Sequence, residues 1–451
     1  MTQAREWAAG VWTDEQRSEE RTSSAGGKTP GTGPLTSERS EPIQHREPVS
    51  HTLVVLGGSD HTAGTYQRAA KLGYRTIAVD PRPSVELADE YLTISTRAPE
   101  RIAAALPDRS DIVGVLCPGN DVGLAARAFL TRHWKLADRL PESAVVPSVD
   151  KAEFRRVCTR LGLPGYGWAS GRPGPDVLDQ ARHLRYPAVV KPVDGSGSRG
   201  VAPCAGPAGL PRAFTEALAH SPTGRVLVEE FVGGTPLTVE ALVLAGAVIF
   251  HAVSERTLTP PPFFVTSSHL LPAALPPEAD AALVDTLTAV CAEIGYRRGP
   301  LTVDAVLGHD GLLYPIDLSV RTGGNGLPEA IESAYGVDVA GAAVAFAAGE
   351  DVPCEPRPPR PTLVRLLSSD RAGTMTGIEG AAEVRAMPEV IDLQLFTEPG
   401  SRVEPFERAD RKLGQVVFSG GSVATLRAAE SAVRATLRFR LAEQDLPVPL
   451  P

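Results

Sequence analysis

Two aspartates in the second half of the chain have the spacing of a cation site. Asp304 and Asp317 stand in two apolar, β-prone stretches, which a Gly-His-Asp-Gly turn at 308–311 joins into a predicted antiparallel hairpin. In such a hairpin the two carboxylates lie near each other and near Ser319 and Arg321. Neighbouring carboxylates repel each other, so this arrangement favours Mg²⁺ and phosphate oxygens as partners. A surface hairpin with solvated acids is the alternative.

A lysine followed by a glycine-rich loop has the spacing that suits phosphate binding. Lys191 stands in the otherwise apolar stretch 186–193, where an ammonium group must reach solvent or meet an anion. Strand-like residues 201–204 follow the loop, which argues against the helix that a dinucleotide fingerprint requires. We expect the backbone N–H groups of this loop to fold over phosphates. Its candidate residues are Gly195, Ser196, Gly197, Ser198 and Gly200.

Further candidates stand at the ends of predicted strands and in a long loop. Glu229 and Glu230 end one strand, where backbone groups and a carboxylate suit an adenosine site. Asp121 follows another strand, at the edge where parallel sheets bind ligands. The Pro-rich stretch 254–274 is predicted to be irregular and contains Glu255 and His269, candidates for substrate binding or for a general base. A structural role is the alternative for His269.

Strands and helices alternate in the first part of the chain, which predicts a parallel α/β sheet. The predicted strands cover residues 51–57, 74–80 and 112–117. A helix then begins at Lys151, with Asp150 as its capping residue.

The remaining elements predict a mixed region that ends in a small α+β tail without chemistry of its own. A Pro-rich linker at 353–361 separates this tail from the preceding helices. Helices are predicted at 278–295, 327–348 and 422–441, and strands at 361–366, 390–396 and 412–419.

Composition limits the class of protein. The 451 residues are 42% hydrophobic and 22% charged, and no apolar run is long enough to span a bilayer. A net charge of −9 argues against a nucleic-acid surface. The five cysteines are scattered and lack metal-site spacing, which predicts a reducing, cytoplasmic location without disulfides or zinc. Residues 1–50 are polar and are predicted to be disordered.

In their order along the chain, these motifs resemble the ATP-grasp superfamily of carboxylate–amine ligases, and the tail resembles that of L-amino acid ligases. The resemblance covers residues 53–441 and implies a multidomain α/β and α+β fold. It implies a Rossmann-like domain at 51–147, an ATP-grasp domain at 148–352 with a flap subdomain at about 185–245, and an accessory C-terminal unit at 353–451.

The resemblance also implies roles for individual residues. Lys151 and Lys191 would contact ATP phosphates, the 195–200 loop would close over them, and Arg321 would act on the transferred phosphate. The implied metal ligands are Asp304, Asp317 and Ser319, for Mg²⁺ or Mn²⁺. The implied adenine hinge is Glu229, Glu230, Phe231 and Val232. The substrate loop would include Gly323, Gly324 and Asn325.

Three departures from the family pattern concern the same site. Ser319 stands where a ligating asparagine is usual, and both metal acids are Asp rather than the more usual Glu. Pro236 stands where many relatives carry a ribose-binding glutamate, which leaves Glu230 or Glu240 as substitutes.

The function that the resemblance implies is an ATP-dependent ligase that forms an amide bond between a small carboxylate, such as an amino acid, and an amine through an acyl phosphate. A bicarbonate-activating enzyme and a non-catalytic nucleotide-binding module are the alternatives. The expected partners are small-molecule substrates, without nucleic acid or membrane, and the resemblance is compatible with a homodimer.

Overall fold

The computed structural model describes residues 51–59, 62–107 and 109–442. The disordered extension predicted at residues 1–50 lies outside this part of the chain.

The described chain begins with a parallel four-stranded sheet, the N-terminal sheet, as the alternation of strands and helices predicts. Its elements are β1 (Thr52–Leu56), α1 (Ala63–Lys71), β2 (Arg75–Val79), β3 (Glu90–Leu92), α2 (Pro99–Ala105), β4 (Ile112–Leu116), α3 (Leu124–His133) and α4 (Glu142–Val149). The strand order is β3-β2-β1-β4, and every pairing is parallel. The loop at 118–121 therefore leaves the carboxyl edge of this sheet.

An antiparallel sheet, the flap sheet, follows the helix that begins at Lys151. The elements are α5 (Lys151–Arg160), β5 (Trp168–Gly171), α6 (Pro175–Arg182), β6 (Ala188–Pro192), β7 (Ala202–Cys204), α7 (Leu210–Leu218) and β8 (Val226–Glu230). The Asp150 carboxylate accepts hydrogen bonds from the N–H groups of Ala152 and Glu153, the capping that the sequence predicts. The strand order is β5-β8-β6-β7.

Long antiparallel strands and three helices come next. They are β9 (Gly234–Leu244), β10 (Ala247–Leu258), β11 (Thr266–Leu271), α8 (Pro277–Glu293), β12 (Gly299–Gly308), β13 (Leu313–Ser319), α9 (Leu327–Tyr335) and α10 (Val339–Ala347). The stretch 254–274, predicted to be irregular, is mostly strand, because β10 and β11 pair with each other. The single helix predicted at 327–348 is two helices, because Gly336 adopts a left-handed conformation (φ 76°) that ends α9.

The C-terminal segment is not an independent tail. It contains β14 (Thr362–Leu367), β15 (Gly373–Glu379), α11 (Ala381–Arg385), β16 (Val390–Leu395), β17 (Arg402–Val403), β18 (Gly414–Ser419), α12 (Val423–Thr436) and β19 (Arg438–Ala442). β14, β18 and β16 extend the preceding strands into one eight-stranded sheet, the central sheet, of order β13-β12-β9-β10-β11-β14-β18-β16. β15 and β19, both missed by the sequence prediction, form a small sheet with β17.

Apolar side chains hold these layers together. A large buried cluster joins the helices of the N-terminal sheet to β9, β12 and α8 through residues such as Leu130, Phe154, Val239 and Leu287. Within the described ranges, no single helix has the length and apolar composition to cross a bilayer, although the bent pair α9 and α10 meets these criteria when counted together.

Candidate active site

The predicted site residues converge on a cleft with a volume of about 680 Å³. Its walls come from the loop after β4, the flap sheet, the central sheet and the segment before β18. Among the described residues, Gly200, Glu240 and Glu255 are the predicted site residues that do not line it. Those that line it are Asp121, Lys151, Lys191, Gly195, Ser196, Gly197, Ser198, Glu229, Glu230, Phe231, Val232, His269, Asp304, Asp317, Ser319, Arg321, Gly323, Gly324 and Asn325.

The two aspartates face each other across the β12–β13 hairpin, where their Cα positions are direct register partners. Asp304 accepts hydrogen bonds from Thr238 Oγ1 and Arg256 Nη1, each at 2.7 Å. Asp317 pairs with Lys151, whose Nζ lies 3.0 Å from Oδ2. Burial raises the pKa of Asp317, but the charges of Lys151 and Lys191 outweigh it and hold the pKa below its ordinary value. Both acids are therefore compensated carboxylates, the form that binds a cation.

These donors fit a hard cation. No cluster of three or more Asp, Glu, His or Cys side chains able to hold a metal occurs in the described ranges. Mg²⁺ does not need such a cluster, because it binds through one or two carboxylates and completes its shell with water and phosphate oxygens. Asp304 and Asp317 supply the carboxylates, both on the cleft wall.

Both lysines lie on the same cleft wall. Lys151 Nζ donates to the carbonyl oxygen of Gly195 at 2.9 Å, so it bridges the glycine loop and Asp317. Lys191 is buried and pairs with Glu229. The anion that the sequence required next to this ammonium group is therefore a carboxylate of the protein. Arg155 also approaches Glu229, at 3.3 Å. Glu229, which also lines the cleft, thus fixes the direction of the Lys191 side chain.

The glycine loop crosses the cleft and contacts the opposite wall. Ser198 Oγ donates to the carbonyl oxygen of Phe264 at 3.3 Å, and the Ala409 N–H donates to the carbonyl oxygen of Gly197 at 3.4 Å. Gly197 and Ser198 both have positive φ, 66° and 58°. Gly200 instead packs against His220 and α7, so it shapes the loop from behind.

Asp121 anchors the arginine of the site. It receives Arg321 Nε at 2.9 Å and Nη2 at 3.2 Å, a bidentate ion pair, and it also accepts a hydrogen bond from Ser319 Oγ. Asp121 also lines the cleft, so its role toward a substrate stays a prediction, while its contacts show that it orients Arg321. Ser319 keeps acceptor lone pairs for a further ligand.

Glu240 lies beneath the cleft rather than on its wall. Its carboxyl group accepts the Gly323 N–H, at 2.8 and 3.0 Å to the two oxygens, and Thr302 Oγ1 at 2.9 Å. Burial raises its pKa to about 8. The ribose role predicted for Glu240 is therefore wrong: this side chain holds the 323–325 turn in place.

Replacing Glu240 by glutamine should flatten the pH dependence of stability between pH 4.5 and about 8, the ordinary and the folded-state pKa of this group. The folded protein retains a proton that the unfolded chain releases, so the stabilisation is complete below pH 4.5 and is lost as pH rises through the folded-state pKa. Urea unfolding at several pH values measures the effect. Exposed Glu100 gives the control Glu100→Gln, and equal pH profiles for wild type and Glu240→Gln would contradict the prediction.

His269 is not poised as a general base. It stands on β11, buried, with Nδ1 3.0 Å from Ser254 Oγ. Burial, together with the charges of Arg256 and Lys412, lowers its pKa to about 3, so the ring is neutral and weakly basic. Glu255, the other candidate base, stands on β10 away from the cleft wall.

Sequence reasoning missed several cleft residues. Arg256 reaches Asp304 from β10, and Lys412 lines the cleft from the segment before β18. The sequence pattern that could have identified them is a cationic residue in or beside an apolar strand, the pattern that identified Lys191. The other missed residues include Gln394, Phe396 and Gln415 of the C-terminal segment, and Tyr166, Thr238 and Thr302 from earlier in the chain.

Comparisons with known proteins agree with this architecture. Residues 184–329 match the model of the ATP-grasp domain, and residues 365–442 match the L-amino acid ligase C-terminal domain 2. The chain therefore carries an ATP-grasp domain, in the fold that the carboxylate–amine ligases share. Its C-terminal segment is, more particularly, the one found in L-amino acid ligases, as the sequence resemblance predicts.

Individual relatives point the same way. The chain is 29% identical over 337 residues to the uncharacterized protein y4rH of Sinorhizobium fredii, which covers 72% of this chain and 69% of that one. Carnosine synthase 1 of Gallus gallus is 31% identical over 190 residues, 40% of this chain, but the chain spans only 20% of that protein. The L-amino acid ligase structure from Bacillus licheniformis superposes with a TM-score of 0.76 at 20% identity, over 87% of this chain and 99% of that one, which shows a common fold.

Proposed function

We propose that this protein is an ATP-dependent ligase that joins the carboxylate of a small acid, such as an amino acid, to an amine and releases ADP and phosphate. The observation that carries the proposal is the convergence of two lysines, two aspartates and an arginine on one cleft, beneath a glycine loop. Phosphoryl transfer depends on positioning and on stabilisation of spreading negative charge, which such a set supplies.

Nucleotide binding would use the flap side of the cleft. Lys151 and Lys191 lie where they can contact phosphates, and the 195–200 loop adds backbone N–H groups. The end of β8 and residues 231–232 would receive the adenine. Asp304, Asp317 and Ser319 would hold Mg²⁺ or Mn²⁺, which neutralises phosphate charge when bound.

Two chemical steps follow from this placement. The substrate carboxylate attacks the γ-phosphorus of ATP and ADP leaves, so the product is an acyl phosphate. The amine nitrogen then attacks the acyl carbon, the C–O bond to phosphate breaks, and the nitrogen loses its proton to solvent or a base. Arg321, oriented by Asp121, would stabilise the charge on the transferred group and on the tetrahedral oxyanion. The closed glycine loop would exclude water from the acyl phosphate.

Three further expectations accompany the proposal. The domain limits 51–147, 148–352 and 353–451 stay predictions, although the last unit shares the central sheet with its predecessor. The cytoplasmic location is supported by five free cysteines, four of them buried. A homodimer stays a prediction.

An ADP-release assay with a pool of amino acids tests the proposal. We expect release that requires two amino acids and is insensitive to bicarbonate. Release that requires bicarbonate instead would favour the bicarbonate-activating alternative, and tight ATP binding without turnover would favour a nucleotide-binding module. Either result would overturn the ligase proposal.

A further inference from the structure

Lys412 places a half-buried positive charge on the cleft wall without a carboxylate of the described residues at ion-pair distance. Its Nζ donates to Asn325 Oδ1 at 2.8 Å and lies 5.2 Å from the centre of the Phe396 ring. No carboxylate oxygen of the residues that the structure describes lies within 4 Å of this nitrogen. An ammonium group has three donors, and burial makes an uncompensated charge costly. Burial accordingly lowers the pKa of Lys412 to about 8.

A second polar group on the same wall lacks a partner. His269 uses Nδ1 toward Ser254, whereas its buried Nε2 has no hydrogen-bond partner in the described part of the chain. Buried ring nitrogens rarely stay unpaired, so a missing ligand atom is the expected explanation. His269 lines the cleft, as Lys412 does.

Two cations, Arg256 and Lys412, lie on this wall, and a carboxylate acts on each of them. Arg256 is the register partner of His269 on β10, and its charge is balanced by Asp304. The charges of Arg256 and Lys412 both act on the His269 ring, which indicates that the three side chains surround one region. Glu329 is the carboxylate whose charge acts on Lys412, but it forms no ion pair with it, and burial raises the pKa of Glu329. The charge of Lys412 is therefore offset only in part, and this region suits a monovalent anion.

His269 and Asp304 stand on different strands of the central sheet, and Arg256 of β10 contacts Asp304 and pairs in register with His269. His269 stands on β11, three strands from β12, which carries Asp304. At the usual spacing this is about 14 Å along the sheet. An anion held by Lys412 and His269 would therefore lie on the β11 side of the cleft, whereas Asp304 and Asp317 stand on β12 and β13.

We propose that Lys412 and His269 bind the non-reacting carboxylate of the acceptor amino acid, the substrate whose amine attacks the acyl phosphate; this inference rests on the proposed ligase function. The chemistry of the reaction decides which substrate carries this carboxylate. The donor, whose carboxylate is phosphorylated, loses that group to the new amide bond. The acceptor, which supplies the amine, keeps its own carboxylate. Lys412 Nζ forms a charge-assisted hydrogen bond to that group, and His269 Nε2, in its N–H tautomer, donates a second one.

The test compares acceptors with and without the carboxylate. ADP release is first measured for the wild type with all pairs of the twenty amino acids, and the fastest pair is then assayed with the acceptor replaced by its α-amide. For the wild type we expect the amide to have a KM about 10-fold to 100-fold higher, as for loss of a hydrogen bond between charged groups. Equal KM values for acid and amide would overturn the inference without requiring any variant.

Substitutions of Lys412 then test whether this residue binds the carboxylate. Lys412→Met should raise the KM of the acceptor acid to that of its amide and leave the KM values of the amide and of ATP unchanged, and Lys412→Arg should restore much of the difference. Lys71→Met, at the exposed end of α1, is the matched control. A Lys412→Met variant that still prefers the acid as strongly as the wild type would overturn the assignment.

The remaining outcomes distinguish the ligase function from the acceptor inference, and an acceptor carboxylate from a carboxylate on the donor side chain. A wild type that releases no ADP with any pair refutes the ligase function itself. A second outcome is that Lys412→Met turns over but no longer distinguishes aspartate from asparagine as the donor, the substrate whose carboxylate is phosphorylated, and changes nothing else. Lys412 would then bind the side chain of the donor. This result would overturn the acceptor inference and leave the ligase function standing.

Discussion

Replacing Arg321 by alanine should lower the turnover number by about 100-fold or more while leaving the affinity for ATP nearly unchanged. The guanidinium group lies on the cleft wall in a bidentate pair with Asp121, so its direction is fixed before any substrate binds. A preorganised cation acts most strongly on charge that develops in the transition state. Steady-state kinetics gives the turnover, and calorimetric titration with ADP gives the nucleotide affinity.

Two controls make this result specific to the charge at position 321. Arg321→Lys keeps a positive charge but loses the two-point contact to Asp121, so an intermediate turnover is expected. Arg132→Ala removes an exposed arginine of α3 that pairs with Glu142, and should change neither quantity. Equal losses of turnover and nucleotide affinity in Arg321→Ala would identify Arg321 as a ground-state anchor instead.

Replacing Asp138 by alanine should lower the free energy of unfolding by about 3–5 kcal/mol, because it leaves Arg127 as an uncompensated buried charge. Arg127 Nη2 lies 2.7 Å from Asp138 Oδ2, and only 4% and 6% of these two side chains are exposed. Arg127 also donates to the carbonyl oxygen of Val320, the residue before Arg321. The pair thus supports the segment after β13 that carries Arg321.

Urea denaturation followed by circular dichroism measures this loss. The matched control is Asp351→Ala, which breaks a pair with Arg298 in which the aspartate is 65% exposed, and which should cost no more than about 1 kcal/mol. Similar losses in the free energy of unfolding for the two substitutions would contradict the prediction. They would show that burial does not determine how much the Arg127–Asp138 pair contributes to stability.

Local patterns in the sequence account for the correct fold predictions. The apolar stretches around Asp304 and Asp317, with a short glycine-bounded turn, leave only one register that buries the apolar face, and the observed pairing has it. Asp150 caps the helix of Lys151 because its side chain bonds to backbone N–H groups two and three residues on. Such features depend on neighbours in sequence, so they can be inferred without coordinates.

The wrong predictions concern contacts between distant segments. β11 pairs with β14 across the Pro-rich linker, and β14 pairs with β18, so the C-terminal segment became part of the central sheet rather than a separate tail. The sequences of β11, β14 and β18 do not indicate which strands they pair with, because pairing between segments far apart in sequence depends on the whole packed core. The same holds for Glu240, which is buried under the 323–325 turn by the placement of β12.

The sequence by itself predicted the class of chemistry: lysines in apolar surroundings, neighbouring aspartates and a glycine loop are a pattern that suits phosphate and a divalent cation. Only the tertiary structure decided which groups are already neutralised by the protein and which are not. Asp121 is engaged by Arg321 and Glu229 by Lys191, whereas Lys412 lines the cleft without a carboxylate at ion-pair distance in the part of the chain that the structure describes. The reason is physical: charge compensation acts through distances of a few ångströms, and those distances join residues that lie far apart along the chain.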